Sequence, residues 1–514
     1  MADSHAQTLT ALAQGSPDLS ALPKPRRPWR LAELFLLILA LGISIGGFAI
    51  VSHAVTGELP QTFYGESVTL VVLSLVMHVV IRIRAPWADQ TLLPCVVLLT
   101  GIGLTMILRL DMRGTLGADA PRSALWALVS VGAASLVLIA IKDHRTLRRF
   151  TYTSGIVGMI VLLSPLIPGL GVEINGSRRW IIVAGFSLQP GEFAKILLAI
   201  FFAGYLCRTR DNLALAGPRV LGLHLPRLRD LGPILVVWAM AIVVLVSQVD
   251  LGTSLLLFGM FVSMLYMATG RSSWVLIGLS LVAAGGWFAV GAFPHVAQRF
   301  DGWINAFDPV IYNRPVGGSF QLVQGLLSMS SGGLFGTGLG QGHPYLVPFS
   351  FSDFIYTSLG EELGLTGILA ILVIFFIIVE RGFRTALEVR DPFGKLLSAG
   401  LSFMLAWQLF VIVGGVTRVL PLTGLTVPFM AQGGSALLSN WIFVALLIRL
   451  SNSARRPSTH PGLAEVAQPH TEPLAIPAAS PDSSVIVVGP GSDEPHTHPH
   501  TPWEYSPPPA GGRP

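Results

Sequence analysis

Twelve long apolar stretches constrain this chain of 514 residues more than any other feature of its sequence. Each can cross roughly 30 Å of hydrocarbon as a helix, and none keeps the alternation of a strand. Only 12% of the residues are charged, about half of the roughly 25% typical of soluble domains. The sequence therefore predicts an all-α polytopic membrane protein of about 12 transmembrane helices, and excludes a soluble multidomain protein, a disordered chain and, with two cysteines, a disulfide scaffold. The stretches lie near residues 31–53, 67–85, 91–109, 123–141, 151–171, 192–207, 231–249, 252–270, 273–293, 354–380, 396–416 and 433–450.

Lysine and arginine are distributed unevenly between the two sets of loops. With a cytoplasmic N-terminus, 23 of them fall on the cytoplasmic side and 8 on the opposite side. Because cytoplasmic loops carry the excess of basic residues, both termini are predicted to be cytoplasmic. The net charge of +5 then reflects orientation and contact with anionic lipid headgroups of the membrane, and we expect no nucleic-acid partner.

Three further segments differ from the apolar stretches in composition. Residues 1–30 are polar, lack a small-residue cleavage site, and are predicted to be a cytoplasmic N-terminal segment rather than a signal peptide. Residues 453–514 are rich in proline and hold five of the twelve histidines, which predicts a disordered cytoplasmic tail, with a metal-binding tract as the alternative. Residues 293–352 form an outer loop in which aromatic residues flank a glycine-rich run, and we expect function there because ordered loops of this length are usually functional.

Two of the predicted spans carry charges that a membrane tolerates poorly. Glu192 and Lys195 are three residues apart, hence on one helix face, and form either a structural ion pair or part of a site. Asp250 stands at the outer end of its span, directly before the next one. It is either the N-cap of the following helix or a carboxylate that faces an outward cavity, where it could hold a cation or a hydroxyl group.

Asp353 opens the span that follows the long outer loop. An N-cap role is again one interpretation. Glu361 lies eight residues further on, close to the same helix face, and Thr357 lies between them. A polar stripe of these three residues indicates a groove that enters the bundle from its outer surface.

Several arginines lie on the outer side of the membrane, although most basic residues lie on the cytoplasmic side. Arg178 and Arg179 precede Trp180, and Arg418 lies between the last two spans. Because a guanidinium group binds phosphate oxygens in pairs, these arginines suit a diphosphate headgroup, with interfacial anchoring as the alternative. The glycine-rich run at 336–342 follows no strand and lacks a Gly-Lys-Ser/Thr ending, so it is not interpreted as a nucleotide loop.

Six motifs follow one another along the chain. They are Arg179-Trp180 with Gln189-Pro-Gly-Glu192-Phe-Ala-Lys195; Gln248-Val-Asp250-Leu-Gly-Thr253; Phe320-Gln321-Leu-Val-Gln324; Ser331-Gly-Gly-Leu-Phe-Gly336-Thr-Gly338-Leu-Gly340; Asp353-Phe-Ile-Tyr356 with Glu361-Glu-Leu-Gly364; and Leu420-Pro-Leu-Thr-Gly424 through Gln432-Gly-Gly-Ser435. In these motifs and in their order the chain resembles the SEDS family (shape, elongation, division and sporulation), which includes RodA and FtsW. The resemblance covers about residues 91–450, and six motifs in the family's order are more than chance produces.

The resemblance implies a fold and an activity. It implies a ten-helix core over residues 91–452 and an extra N-terminal helix pair over residues 31–90. The family's members are peptidoglycan glycosyltransferases that polymerise lipid II on the outer face of the bacterial cytoplasmic membrane, together with a class B penicillin-binding protein. The segment Gly415-Val-Thr-Arg418 resembles actinobacterial RodA-type members, which implies a role in elongation and cell shape, with an FtsW-like role in division as the alternative.

The resemblance also assigns roles to residues. It makes Asp353 the catalytic carboxylate, and Asp250, Glu192 and Lys195 functionally important polar positions. Gln321 and Gln324 belong to a matching motif and are candidate substrate-binding residues. The chain departs from the family at three places: Val249 replaces a common proline, Gly191 a common serine and Gln432 a common tyrosine.

The expected chemistry is an inverting displacement at an anomeric carbon. Asp353 would act as base on the attacking 4-hydroxyl, and its place at a helix N-terminus predicts a lowered pKa. Arg179, with Arg178 or a divalent cation (magnesium or manganese), would stabilise the leaving diphosphate, and Asp250 and Asp353 are the candidate metal ligands. No organic cofactor is expected. Two alternatives are a lipid II flippase and an inactive scaffold for the transpeptidase.

Overall fold

The computed structural model describes residues 28–457, apart from 175–176, 184, 215–218, 221–222, 225–227 and 316. The predictions for most of segment 1–30 and for nearly all of segment 453–514 lie outside the described residues. Helices form at all twelve predicted stretches. Ten of them are long and apolar enough to cross a membrane: α1 (Leu31–Thr56), α2 (Gln61–Arg84), α3 (Leu92–Asp111), α4 (Ala120–Ala140), α7 (Pro190–Ala214), α9 (Leu251–Thr269), α10 (Ser273–Ala292), α14 (Ile355–Glu388), α15 (Pro392–Val416) and α16 (Gly434–Arg455).

The other two predicted stretches form shorter apolar helices. These are α6 (Thr151–Leu163), extended by a 3-10 turn to Leu166, and α8 (Leu228–Ser247), whose apolar part is residues 235–247. A short helix α5 (Arg145–Arg149) joins α4 to α6. The outer loop at 293–352 is helical too, with α11 (Pro294–Ile304), α12 (Pro309–Tyr312) and α13 (Phe320–Gly332).

Two small sheets modify the all-helical prediction. An antiparallel sheet of β1 (Gly171–Ile174), β2 (Ser177–Val183) and β3 (Phe186–Leu188) stands between α6 and α7, and β4 (Arg219–Val220) pairs with β5 (Leu223–His224). β2 is rich in β-branched residues, and Gly185, with φ of 81°, turns the chain into β3. The sheet matters for the site because β2 carries Arg179.

The first helix pair packs against the rest of the bundle, with α1 on α3 and α2 on α4. At the end of α1 that is predicted to be cytoplasmic, Arg30 is buried and donates to the carbonyl oxygens of Pro86 (3.1 Å) and Ala88 (2.8 Å). Arg30 also pairs with the buried Glu33, whose other oxygen lies 2.7 Å from Nδ1 of His78. This network fixes the pair to the α2–α3 connection.

Helix α14 is interrupted at Gly364, which has φ of 69° and ψ of −172°. The interruption frees backbone groups, and the glycine-rich loop after α13 pairs with them: the amides of residues 337 and 338 donate to the carbonyls of 361 and 362, and the amides of 365 and 366 donate to the carbonyls of 333 and 334. Because hydrocarbon offers no hydrogen-bond partners, such a break needs an internal partner. Residues 333–338 of the loop are therefore hydrogen-bonded to α14 on both sides of the break.

Candidate active site

One cavity of about 520 Å³ opens where the outer loop meets β2 and the segment between α15 and α16. Of the residues predicted for the site, Arg179, Gln321 and Asp353 line it. The other polar lining residues include Gln189, Gln298, Arg299, Trp303 and Gln432. By the predicted orientation, this is the outer side of the membrane.

Asp353 lies in the turn directly before α14, whose N-cap is Phe354. The N-cap interpretation of Asp353 is therefore wrong by one residue. Burial raises the pKa of Asp353 to about 6, and the opposing effects of its own amide, of Arg179, of the Phe354 amide and of Arg299 are smaller. The predicted lowering of this pKa is wrong in sign, because loss of water outweighs the helix terminus.

Asp250 is buried behind Arg179 rather than in the cavity wall. One Asp250 oxygen accepts from the Thr253 amide (3.1 Å), the other from the Thr253 hydroxyl (2.8 Å), so Asp250 is the N-cap of α9, as one interpretation held. Arg179 Nη1 stands 3.8 Å from Asp250 Oδ1. The preceding residue, Val249, has φ of 61°, a value that the proline common in the resembling family cannot adopt. Asp250 therefore orients Arg179 from behind.

Glu192 and Lys195 form a buried ion pair of 2.7 Å inside the bundle and do not line the cavity. Lys195 donates to Oε1 of Gln408 (3.2 Å), and Gln408 donates to the carbonyl of Thr426 (3.2 Å). Thr426 belongs to the cavity wall. Glu192 and Lys195 are therefore a structural ion pair, which is one of the two interpretations of their spacing. Through Gln408 the pair supports the wall of the cavity.

Arg299 of α11 was missed as a site residue. It lines the cavity and donates to the carbonyls of Leu422 and Thr423, both at 3.3 Å. Burial and the charge of Arg179 lower the pKa of Arg299, and the carboxylates of Asp250 and Asp353 oppose that effect. A signal was present in the sequence, because Arg299 is an outer-side arginine inside the loop already expected to be functional.

Arg418 does not reach the cavity, which corrects its assignment to the diphosphate. It donates to the carbonyls of Trp303 (2.8 Å) and Ile304 (2.7 Å) at the end of α11, and its guanidinium group covers the ring of Phe307. In return, Trp303 Nε1 donates to the Arg418 carbonyl (3.1 Å). Arg418 therefore holds the helix that carries Arg299.

Two further predicted residues lie outside the cavity. Arg178 is exposed and points toward Glu173 at 3.8 Å, so its assignment to the diphosphate is also corrected. Gln324 donates to the Tyr312 hydroxyl (2.9 Å) and braces the outer loop. Gln321, by contrast, lines the cavity and donates to the Pro348 carbonyl (3.2 Å).

The polar stripe below Asp353 does not form a groove. Thr357 is fully buried, and both oxygens of Glu361 are occupied, by the Ser328 hydroxyl and the His343 amide, each at 2.6 Å. The prediction of a groove at these residues is wrong, because the Thr357 hydroxyl donates to the Phe354 carbonyl (2.8 Å) within its own helix, and Glu361 is occupied by α13 and by the loop. Glu361 is thus a supporting residue.

A divalent cation does not fit the residues at the site. Within the part of the chain that the structure describes, no group of three or more His, Cys, Asp and Glu side chains could hold one. Asp250 already accepts hydrogen bonds on both oxygens, and Asp353 faces the positive charges of Arg179 and Arg299. A cation there would be repelled by two guanidinium groups.

Comparisons with known proteins agree with the resemblance. The model of the FtsW, RodA and SpoVE family, described as cell cycle proteins, matches residues 89–456, which begins after α2. The chain is 47% identical over 441 residues to the peptidoglycan glycosyltransferase RodA of Mycobacterium tuberculosis, covering 85% of this chain and 92% of that one. It is 45% identical over 460 residues to RodA of Mycobacterium leprae, covering 88% and 95%.

More distant relatives show the same fold. The chain is 32% identical over 339 residues to the stage V sporulation protein E of Bacillus subtilis, covering 65% of this chain and 87% of that one. A chain from a solved peptidoglycan synthase complex superposes with a TM-score of 0.55 at 23% identity, covering 72% of this chain and 99% of that chain. This likeness confirms the predicted helical membrane fold.

Proposed function

The chain belongs to the FtsW, RodA and SpoVE family of cell cycle proteins and is a peptidoglycan glycosyltransferase of the RodA type, and we propose that it polymerises lipid II on the outer face of the bacterial cytoplasmic membrane. The observation that carries the proposal is one cavity in which a carboxyl group, Asp353, faces two arginines, Arg179 and Arg299. Base and cation are the two groups that displacement of a diphosphate from a sugar requires.

In the proposed reaction, Asp353 takes the proton of the 4-hydroxyl group of the acceptor sugar. The hydroxyl oxygen attacks the anomeric carbon of the donor from the side opposite the diphosphate, which inverts that carbon. The bond between the anomeric carbon and the diphosphate oxygen breaks, and the lipid diphosphate leaves as an anion. Arg179 and Arg299 stabilise the charge that develops on it, and no step uses a metal ion.

The remaining residues support this arrangement. Asp250 orients Arg179 from behind, and Arg418 holds the helix that carries Arg299. Gln321 reaches the same cavity and can donate to a sugar hydroxyl or a phosphate oxygen. The magnesium or manganese ion expected from the sequence, with Asp250 and Asp353 as its candidate ligands, takes no part in this mechanism, because those residues do not offer a suitable set of ligands.

The similarity also supports a partner and a place. A solved relative of the same fold comes from a complex that coordinates polymerisation with crosslinking. We therefore propose a class B penicillin-binding protein as partner of this chain. The identity to mycobacterial RodA favours a role in elongation over the alternative role in division.

The test is polymerisation of lipid II by the purified protein with its class B partner. Asp353→Asn should abolish the polymer, because the amide cannot accept the proton. Asp308→Asn is the matched control: Asp308 is an exposed outer-loop aspartate that caps α12, and asparagine caps a helix equally well. Polymer at the wild-type rate from folded Asp353→Asn would refute the assignment, and lipid translocation without polymer from the wild type would favour the flippase.

A further inference from the structure

The helix pair α1–α2 precedes the part of the chain that the family model matches, and the proposed reaction gives it no role. Its outer end nevertheless touches the glycine-rich loop. Gly340 has φ of 82°, and a methyl group on residue 340 would lie 2.6 Å from the Cβ of Ala54 on α1 and 3.7 Å from the Cα of Val51. A methyl group at 2.6 Å from Ala54 would overlap with it, so the backbone at Gly340 lies in close contact with α1.

From the other side, the same loop is held by buried charges. The Gly340 amide donates to one oxygen of Glu362 (2.9 Å), and Arg109 of α3 donates to the other (3.1 Å). Arg109 also donates to the Gly342 carbonyl (2.9 Å), and it is almost fully buried. The loop thus lies between α1 on one side and the paired charges of α3 and α14 on the other.

The loop leads directly to the catalytic carboxyl. After His343, whose amide donates to Glu361, the chain makes a 3-10 turn at Pro344–Leu346 and reaches Asp353. On this path, the Pro348 carbonyl accepts from Gln321 (3.2 Å), a residue of the cavity wall. Gly340 is therefore connected along the chain to the segment that carries Asp353 and to one wall of the cavity.

We propose that the α1–α2 pair positions residues 340–353, the segment that ends at Asp353. The outer end of α1 holds Gly340 against Glu362 and Arg109, and so fixes this segment at the cavity. Ala54 is the positioning residue at this contact. The Arg30 network anchors the opposite end of α1 to the α2–α3 connection. The effect on catalysis rests on the proposed function, whereas the contact itself does not.

The first experiment places tryptophan at two positions of α1. Ala54→Trp puts the large side chain into the contact with Gly340, and Ile50→Trp puts it on the face where Ile50 is 54% exposed. We expect Ala54→Trp to lower kcat for polymerisation about tenfold or more, since a shift of about 1 Å in a catalytic group has effects of that size, while Ile50→Trp stays near wild type. Equal activities for the two variants would overturn the proposal.

The second experiment measures the contact without the reaction. A nitroxide is attached to Leu346→Cys, an exposed loop position, in protein whose Cys95 and Cys207 are replaced by alanine. Ala54→Trp should increase the mobility of the label, and Ile50→Trp should not. If the wild type makes no polymer but the label responds, the proposed function fails and the contact stands; if polymer forms and the label does not respond, the positioning role fails.

A double-mutant cycle excludes a merely destabilised protein. Gly340→Ala should lower both Tm and polymerisation, and Ala54→Gly in the same chain should restore part of each, because it removes the atom that the new methyl group meets. The rescue is partial, since alanine at φ of 82° stays strained. If Gly340→Ala lowers Tm and polymerisation equally in the wild-type background and in the Ala54→Gly background, the contact is contradicted.

Discussion

The rate of polymerisation is expected to follow the ionisation of the Asp353 carboxyl group as the pH changes. This carboxyl group must be ionised to accept the proton of the attacking hydroxyl, and burial raises its pKa to about 6. At pH 7 about nine carboxyls in ten are then ionised, and at pH 5 about one in ten. We therefore expect kcat/KM to fall about tenfold between these two pH values. A carboxyl with the lowered pKa predicted from the sequence would give the same rate at both.

The arginine opposite Asp353 supplies a second arm of this prediction. The positive charge of Arg299 lowers the pKa of Asp353, so Arg299→Gln should move the acidic limb of the profile to higher pH, beyond any loss in maximal rate. His295 is the matched control, because burial and the charge of Arg299 lower its pKa, and it also titrates below neutral pH. His295→Gln should leave the limb in place.

The same pKa has a consequence for stability. Because the folded pKa of about 6 lies above the ordinary value of 3.8, the folded protein binds this proton more tightly than the unfolded chain does. The contribution of Asp353 to stability is therefore greatest below about pH 4 and is lost as the pH rises through about 6. Above that pH, the ionised group costs at most about 3 kcal/mol. Asp353→Asn should thus raise Tm at about pH 8 and change it little at about pH 4.

The assay is the initial rate of glycan polymerisation against pH, with Tm measured at every pH to exclude unfolding. Asp353→Glu keeps a titratable group and should retain an acidic limb, whereas Asp353→Asn should make no polymer at any pH. A rate that stays constant from about pH 7 to about pH 5 in folded wild-type protein would refute the assignment of Asp353 as the base.

Three further changes test the supports of the site. Arg418→Ala removes two hydrogen bonds to the end of the helix that carries Arg299, a loss of about 1 to 2 kcal/mol, and should lower kcat/KM by about fivefold to 30-fold in a kinetic assay. Lys195→Met leaves Glu192 buried without its cation and should destabilise the protein by about 3 to 5 kcal/mol, a loss that the added change Glu192→Gln partly restores in thermal unfolding. Gly364→Ala forces a side chain into a backbone conformation reserved for glycine and should lower Tm by the equivalent of about 1 to 3 kcal/mol.

The helices could be predicted from the sequence because hydrocarbon imposes a single rule, a continuous apolar run. The break in α14 at Gly364 could not be predicted, since Gly360 and Gly367 lie within four residues of it and nothing in the sequence shows which glycine interrupts the helix. The sheet around Arg179 was missed for a related reason: its strands are three to seven residues long, and apolar runs of that length do not distinguish strand from helix.

The position of Asp353 at the site could also be predicted, because it lies in a matching motif at the outer end of a span, and the structure has it in the cavity wall. Its role as the catalytic base stays a prediction. The sign of its pKa shift could not be predicted, since that depends on how much protein surrounds it. Arg299 was missed and Arg418 overrated for one reason. Both are outer-side arginines outside the predicted spans, and only the fold shows that Arg299 faces the cavity while Arg418 faces the carbonyls that end α11.

Charges within a membrane protein are usually taken as marks of a site, and this chain shows why that inference is incomplete. Glu362 and Arg109 are as buried as any catalytic group, yet their partners are the amide of Gly340 and the carbonyl of Gly342. Hydrocarbon offers no water to satisfy such backbone groups, so a loop that enters the bundle has to bring in charged or polar partners. Because this loop leads to Asp353, the proposed catalytic carboxyl, the charges that satisfy the loop's backbone also support the segment before Asp353, and substitutions there are expected to change the rate without touching substrate.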